Sequence, residues 1–280
     1  MKDESFTRKF VPAAQTLQAM ERHGYFMDFR KVFDSIPVEF DEWRPRYCDE
    51  LFAELIEYAN LGPGKTVLEV GPGTGQATEP ILKTGCSYLA IDIGENFTEF
   101  MKKKFGSYEN FQIVNADFET YDFENTKFDL VYSAAAFQWI PEEIGYPKAY
   151  GLLKSNGTFA MFMTKVDIQP GGGYTDEPLY NKLQEVYSEF FHPETEYKCK
   201  LDYDERDKYG FVNLERREYR KTREYSADDY VSLIGTHADH ITLQEPYKTK
   251  FYDGIRDAIH SFGNKITLYD KITMYLARKP

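Results

Sequence analysis

Val67-Leu-Glu69-Val-Gly71-Pro-Gly73-Thr-Gly75-Gln-Ala-Thr78 carries a short apolar run into a glycine-rich turn and then into a helical pattern. A turn of bare backbone ahead of a helix N-terminus lets a ligand approach its N–H groups closely. The spacing is G-x-G-x-G, not the G-x-G-x-x-G of a dinucleotide fingerprint: the third glycine is Gly75 and position 76 is Gln. An acid, Glu69, stands two residues before the first glycine. Working outward, Thr66–Val70, Ser87–Ile91, Phe111–Val114, Phe128–Ser133 and Thr158–Met163 are short apolar stretches with the look of buried strands. Helical patterns fill 76–84, 95–105 and 141–153 between them, and upstream Tyr47, Leu51, Leu55, Ile56 and Ala59 share one helix face before the break Asn60-Leu-Gly-Pro-Gly64. Strict alternation of strand and helix predicts a parallel sheet covered on both faces. Such sheets bind ligands at the C-terminal ends of their strands, where Asp92 ends the second strand and Asp117 follows the third in Asn115-Ala-Asp-Phe118.

After Lys165 the rhythm changes. Gln169-Pro-Gly-Gly-Gly173 reads as a hinge, Asp176–Phe191 as an amphipathic helix rich in Tyr and Phe, and Phe211–Thr222 as a strand. Helices at 226–234 and 246–262 and a last alternating strand, Lys265–Arg278, close the chain. The 280 residues carry 46 acidic and 34 basic side chains, a net charge of −12 that repels phosphate backbones and anionic lipid and so argues against nucleic acid and membrane partners. Three widely spaced cysteines, Cys48, Cys86 and Cys199, lack metal or redox spacing and read as reduced thiols of a cytoplasmic protein. Neither a signal peptide nor an apolar run long enough to span a membrane is legible.

Taken together, the segment Glu69–Gly75, Asp92, Asp117-Phe118 and Phe128-Asp-Leu-Val-Tyr-Ser133-Ala-Ala-Ala-Phe-Gln-Trp139 resemble a class I S-adenosylmethionine-dependent methyltransferase over about residues 40–165. Phe40-Asp-Glu-Trp-Arg44-Pro-Arg-Tyr47 is similar to the Arg-Pro-x-Tyr entry segment of small-molecule members akin to trans-aconitate methyltransferases. The resemblance implies a Rossmann-like, seven-stranded, mostly parallel α/β sheet with an antiparallel last strand. It implies four regions: an N-terminal helical extension (1–40), the cofactor-binding core (41–165), an inserted cap with the sixth strand (166–224), and C-terminal helices with the last strand (225–280). It implies a S-adenosyl-L-methionine site formed by Arg44, Glu69, Gly71, Gly73, Gly75, Asp92, Ile93, Asp117, Phe118 and Ser133, with Phe137, Gln138 and Trp139 on the side of a small-molecule acceptor. Gln138 departs from the His that many relatives place there, and 165–224 has no counterpart.

A sulfonium methyl is already electrophilic, so positioning dominates its transfer, and only a hydroxyl, amine or carbon acid acceptor needs a base. No side chain is singled out as that base, and no oligomeric state is legible; Tyr132, Gln138 and Arg44 are the orienting groups expected. His23, His192, His237, His240 and His260 lack metal spacing and read as surface or capping residues. The run Glu215–Arg223 reads as a solvated strand edge. A non-catalytic S-adenosylmethionine-binding protein and an aminopropyltransferase are the alternatives the same fold allows.

Overall fold

A computed structural model describes residues 29–167, 178–193 and 201–280. Seven strands form one sheet in the order β3-β2-β1-β4-β5-β7-β6: β1 (Thr66–Val70), β2 (Ser87–Asp92), β3 (Phe111–Asn115), β4 (Phe128–Ala134), β5 (Leu153–Asp167), β6 (Val212–Tyr225) and β7 (Ile266–Arg278). β7 runs antiparallel to both its neighbours, β5 and β6, while β1 to β5 pair in parallel. The expected mostly parallel sheet with an antiparallel last strand is therefore present. β5 and β6 are longer than their apolar patterns suggested, because β7 extends past the parallel strands and pairs with β5 through Asp167 and with β6 through Tyr225.

Alternate residues of the central strands face two layers. Val67, Tyr88, Ala90, Leu130 and Phe162 pack against α3 (Asp49–Tyr58), α4 (Thr78–Leu82) and α5 (Glu95–Phe105) through Leu51, Leu55, Ile81, Met101 and Phe105. Leu68, Val70, Val131, Phe159 and Met161 face the other way, against Tyr146, Ala149 and Leu152 of α6 (Glu142–Leu152). Burial of a dozen or more large apolar side chains on each face, at about 1.5–3 kcal/mol each, is the main stabilising term. A third cluster joins Leu183 and Val186 of α7 (Pro178–Phe190) to α8 (Ala227–Ile234), and to Phe251, Ile255 and Ile259 of α10 (Tyr247–Ser261). It reaches Ile266 and Leu268, at the start of β7, so it rises from the same end of the sheet as the C-termini of the parallel strands. The hinge expected at Gln169–Gly173, Cys199 and His23 lie outside the described residues. No helix among the described residues is long and apolar enough to cross a membrane.

Candidate functional site

The glycine turn leaves β1 at its C-terminal end, and its glycines take conformations that other residues resist. Gly73 has φ +58°, and a Cβ there would lie 3.2 Å from Cε1 of Phe40. Gly75 has φ +85°, and a Cβ there would run into the rings of α5, 2.5 Å from Phe105. One strand over, Asp92 ends β2 with its carboxylate folded back on this turn: Oδ2 accepts the Gly73 N–H at 3.1 Å and Oδ1 the Gly94 N–H at 2.8 Å. Burial pushes its pKa up to about 6, against the pull of those N–H groups. Ile93 lies between the two, and its own N–H also lowers the Asp92 pKa.

The roof of this crevice comes from the N-terminal segment: α1 (Phe29–Val32), the 3-10 turn Phe33–Ser35 and α2 (Pro37–Trp43). Asp34 accepts the backbone N–H groups of Asn96 and Phe97 and so pins the turn to the start of α5. Phe40 lies edge-on to Phe97 at 5.0 Å and beside Gly73, while Phe33 lies edge-on to Trp139 at 5.8 Å. Arg44 closes α2, with its guanidinium carbon 5.6 and 5.1 Å from the Phe33 and Phe40 ring centroids. Its Nη2 donates to the Thr236 carbonyl at 2.8 Å, and its buried Nε has no partner among the described residues. Desolvation lowers its pKa to about 10, so it stays charged. Tyr47, packed on Phe162 at 4.9 Å, is an electrostatic neighbour of both Arg44 and Glu69.

Several expected residues sit deeper than the crevice surface. Glu69 is fully buried beneath α4: Oε2 accepts Thr78 Oγ1 at 2.6 Å and the Tyr88 hydroxyl at 2.5 Å, and Oε1 has no partner among the described residues. Ser133 Oγ donates to the Val70 carbonyl at 2.7 Å, tying β4 to β1, and Gly71 is pressed against Ala136, where a Cβ would come within 2.5 Å of that residue's own. Phe118 packs between Phe123 and Phe137, while the Asp117 carboxylate, half-exposed, pairs with Arg30 at 3.0 Å. Two expectations need correction. Phe137 is 1% exposed among Phe118, Tyr146 and Phe159, so it is a core ring and lines no acceptor pocket. Tyr132 is fully buried and hydrogen-bonded to Tyr88, so it cannot orient a substrate. Gln138 and Trp139 do remain at the edge, Gln138 reached by the Tyr203 hydroxyl at 3.3 Å.

The sequence also missed a cluster. His240 is buried, not a surface residue, because α9 (Ala238–Ile241) seats it against Tyr187 and Phe251. Its Nε2 lies 3.0 Å from the Tyr187 hydroxyl and its Nδ1 2.7 Å from Asp239, with His237 5.2 Å away ring to ring. The short spacing His237-x-Asp239-His240 was the available signal. Arg223, expected on a solvated edge, instead forms a buried fork on Asp270 of β7, while Arg216 and Arg217 do lie on the solvated edge with Glu218 and Glu215.

Residues 68–161 match a family described as a methyltransferase domain. An rRNA adenine N-6-methyltransferase of Limosilactobacillus reuteri is 23% identical over 247 residues, 81% of this chain and 90% of that protein. Ribosomal RNA small subunit methyltransferases match over only 64 to 94 residues, 22% to 34% of their length. Among solved structures, a type II methyltransferase from Anaeromyxobacter dehalogenans superposes with a TM-score of 0.57 at 16% identity, covering 84% of this chain and 97% of that one. A phosphoethanolamine N-methyltransferase 2 from Haemonchus contortus, in complex with S-adenosylhomocysteine, does so with a TM-score of 0.53 at 16% identity, covering 90% of this chain and 60% of that one. The sheet order and the crevice at the glycine turn are those of a Rossmann-like ligand-binding α/β protein. With the domain match across that crevice, residues 68–161 are a methyltransferase domain carried on this Rossmann-like sheet.

Proposed function

We propose that this enzyme transfers the methyl group of S-adenosylmethionine to a small-molecule acceptor by in-line displacement in the crevice over β1, β2 and β4. The observation that carries the reading is one covered crevice, with the Asp92 carboxylate folded onto the glycine turn below and a roof of Phe33, Phe40 and Arg44 above. The residues fit the donor. Asp92 would accept the ribose hydroxyls, and the unpaired Nε of Arg44 is free to meet a carboxylate at the amino-acid end, with Tyr47 beside it. Ile93 and the Asp117-Phe118 pair flank the adenine side in this assignment, and Gln138 and Trp139 face the acceptor. Glu69 and Ser133 support the turn from beneath through their buried hydrogen bonds.

When bound, S-adenosylmethionine supplies a carbon already prone to attack, and the chain's part is to hold the acceptor in line and keep water out. Phe33 against Trp139 and Phe40 against Gly73 supply that exclusion. The net charge of −12 opposes an RNA backbone, which supports a small acceptor. The unpaired Cys48 and Cys86 thiols suit a reducing cytoplasm. The test is release of S-adenosylhomocysteine from labelled S-adenosylmethionine with small acids, thiols, amines and phenols, beside a ribosomal RNA fragment. Methylation of one of the small compounds is expected; transfer to the RNA alone would overturn the acceptor class.

A further inference from the structure

We propose that His237 takes the proton from the acceptor during methyl transfer, and that the acceptor atom is therefore a hydroxyl, thiol or amine and not a carboxylate. The inference rests on the donor reading above. His237 follows Thr236, whose carbonyl holds Arg44 at 2.8 Å, and Arg44 spreads over Phe33 and Phe40, the rings that meet Trp139 and the glycine turn. The imidazole thus stands at the junction of the N-terminal roof and the C-terminal helices, where α9 touches α1 and α8 touches α2. Neither ring nitrogen of His237 has a hydrogen-bond partner among the described residues, whereas both nitrogens of His240 are engaged. A half-buried imidazole with an open lone pair, next to a buried guanidinium whose Nε is also open, marks a place where a polar ligand atom belongs.

The charges around it decide between a proton and a metal ion. Facing His237 are Arg44 from α2, His240 and Asp239 from α9, and more distantly Arg223 from β6. Arg30 of α1 is turned away to Asp117 and Glu119, and Asp34 to the start of α5. Although His237, Asp239 and His240 offer atoms within 4.8 Å of one another, Tyr187 and Asp239 already occupy His240, and Arg44 opposes a second cation. Desolvation first, and then Arg44, hold the His237 pKa well below its ordinary value, so the ring is neutral at neutral pH and ready to accept a proton.

In the step, the acceptor atom forms a bond to the methyl carbon as the carbon–sulfur bond breaks toward sulfur, leaving the thioether of S-adenosylhomocysteine. The acceptor's proton passes to the open lone pair of His237, which releases it to water as the product leaves. Asp239 is placed to offset the charge that forms.

The experiment compares wild type with His237→Gln and His237→Asn, two variants so that a folding defect in one does not decide the matter. Turnover is measured with a panel of phenols, amines, thiols and carboxylic acids, S-adenosylhomocysteine binding by calorimetry, and imidazole protonation by histidine NMR. Expected are a His237 ring that is neutral at neutral pH, a fall in turnover of about 100-fold or more, and S-adenosylhomocysteine affinity within about twofold of wild type. Turnover at the wild-type level in both variants, methylation of carboxylic acids alone, methylation of no panel member, or loss of activity to a chelator would overturn the proposal. A wild-type chain that binds no S-adenosylhomocysteine would instead remove the donor reading, and this inference with it.

Discussion

Asp92 shows how much one side chain does at this turn. Its carboxylate closes the gap between Gly73 and Gly94, and a bound donor would offer ribose hydroxyls to the same oxygens. Asp92→Ala should weaken S-adenosylhomocysteine binding by about 1–3 kcal/mol, the range for losing a charged acceptor, with folding retained; unchanged affinity by calorimetry would take Asp92 out of the site. Its pKa, raised from 3.8 to about 6, adds a pH signature. The stronger, ionised acceptor fills in as pH rises through about 6, so donor affinity should climb there in wild type and stay flat in Asp92→Asn. Gly73→Val should do more harm than either, since a β-branched residue resists φ +58° and its Cβ would press on Phe40. This much was legible, because a glycine turn and the acids beside it are set by short spacings. Phe137 was not: an aromatic after a strand reads the same whether it turns to the crevice or, as here, to Tyr146 and Phe159, and only long-range packing decides.

At the scale of elements, Glu69 ties β1 to β2 and β4 through Tyr88 and Tyr132 and to α4 through Thr78. Burial drives its pKa from 4.5 up to about 7, the opposite of an ion-paired surface acid. A carboxyl raised in the folded state binds its proton more tightly than in the unfolded chain. Its contribution is complete below pH 4.5 and is lost as pH rises through about 7, a loss on the order of 3 kcal/mol. Denaturant unfolding should therefore show wild type losing stability relative to Glu69→Gln between pH 5 and 8; parallel curves for the two would mean that Glu69 is ionised throughout. The sheet edge makes a second case. Arg223 forks onto Asp270 with both side chains nearly covered, so Asp270→Ala leaves a buried guanidinium unpaired and should cost about 3–5 kcal/mol; a loss no larger than an exposed pair gives would show the pair to be solvated. The alternation of strands and helices was legible from the apolar periods, down to α5 at Glu95–Phe105. α9 was hidden because four residues carry no period, and the burial of Arg223 because the neighbouring arginines of the same strand are exposed.

At the scale of the whole molecule, the N-terminal segment and the C-terminal helices converge on one crevice. Residues 33–44 roof it, α8 and α9 meet that roof at Thr236, and the loop after β4 brings Trp139 against Phe33 of the same roof, with Gln138 beside it. Arg44 is the contact between roof and C-terminal helices, and it lies beside the turn on which the donor is placed. A guanidinium in an ordinary exposed ion pair is worth about 0–1 kcal/mol and would matter little, but this one is buried with one nitrogen open, so a carboxylate reaching it gains a charge-assisted hydrogen bond. Gln138 donates to the Ala135 carbonyl and accepts from the Tyr203 hydroxyl, whereas Arg44 donates to the Thr236 carbonyl, so different partners hold the two side chains. The two substitutions should therefore separate in kinetics. Arg44→Ala should raise the apparent KM for S-adenosylmethionine and weaken S-adenosylhomocysteine binding in proportion. Gln138→Ala should leave donor binding nearly intact while lowering kcat or shifting the preferred acceptor. If the two variants behaved alike, or a donor-bound crystal showed Arg44 turned to solvent, the roof would be a structural clamp and the donor's carboxylate would have to be held by other groups.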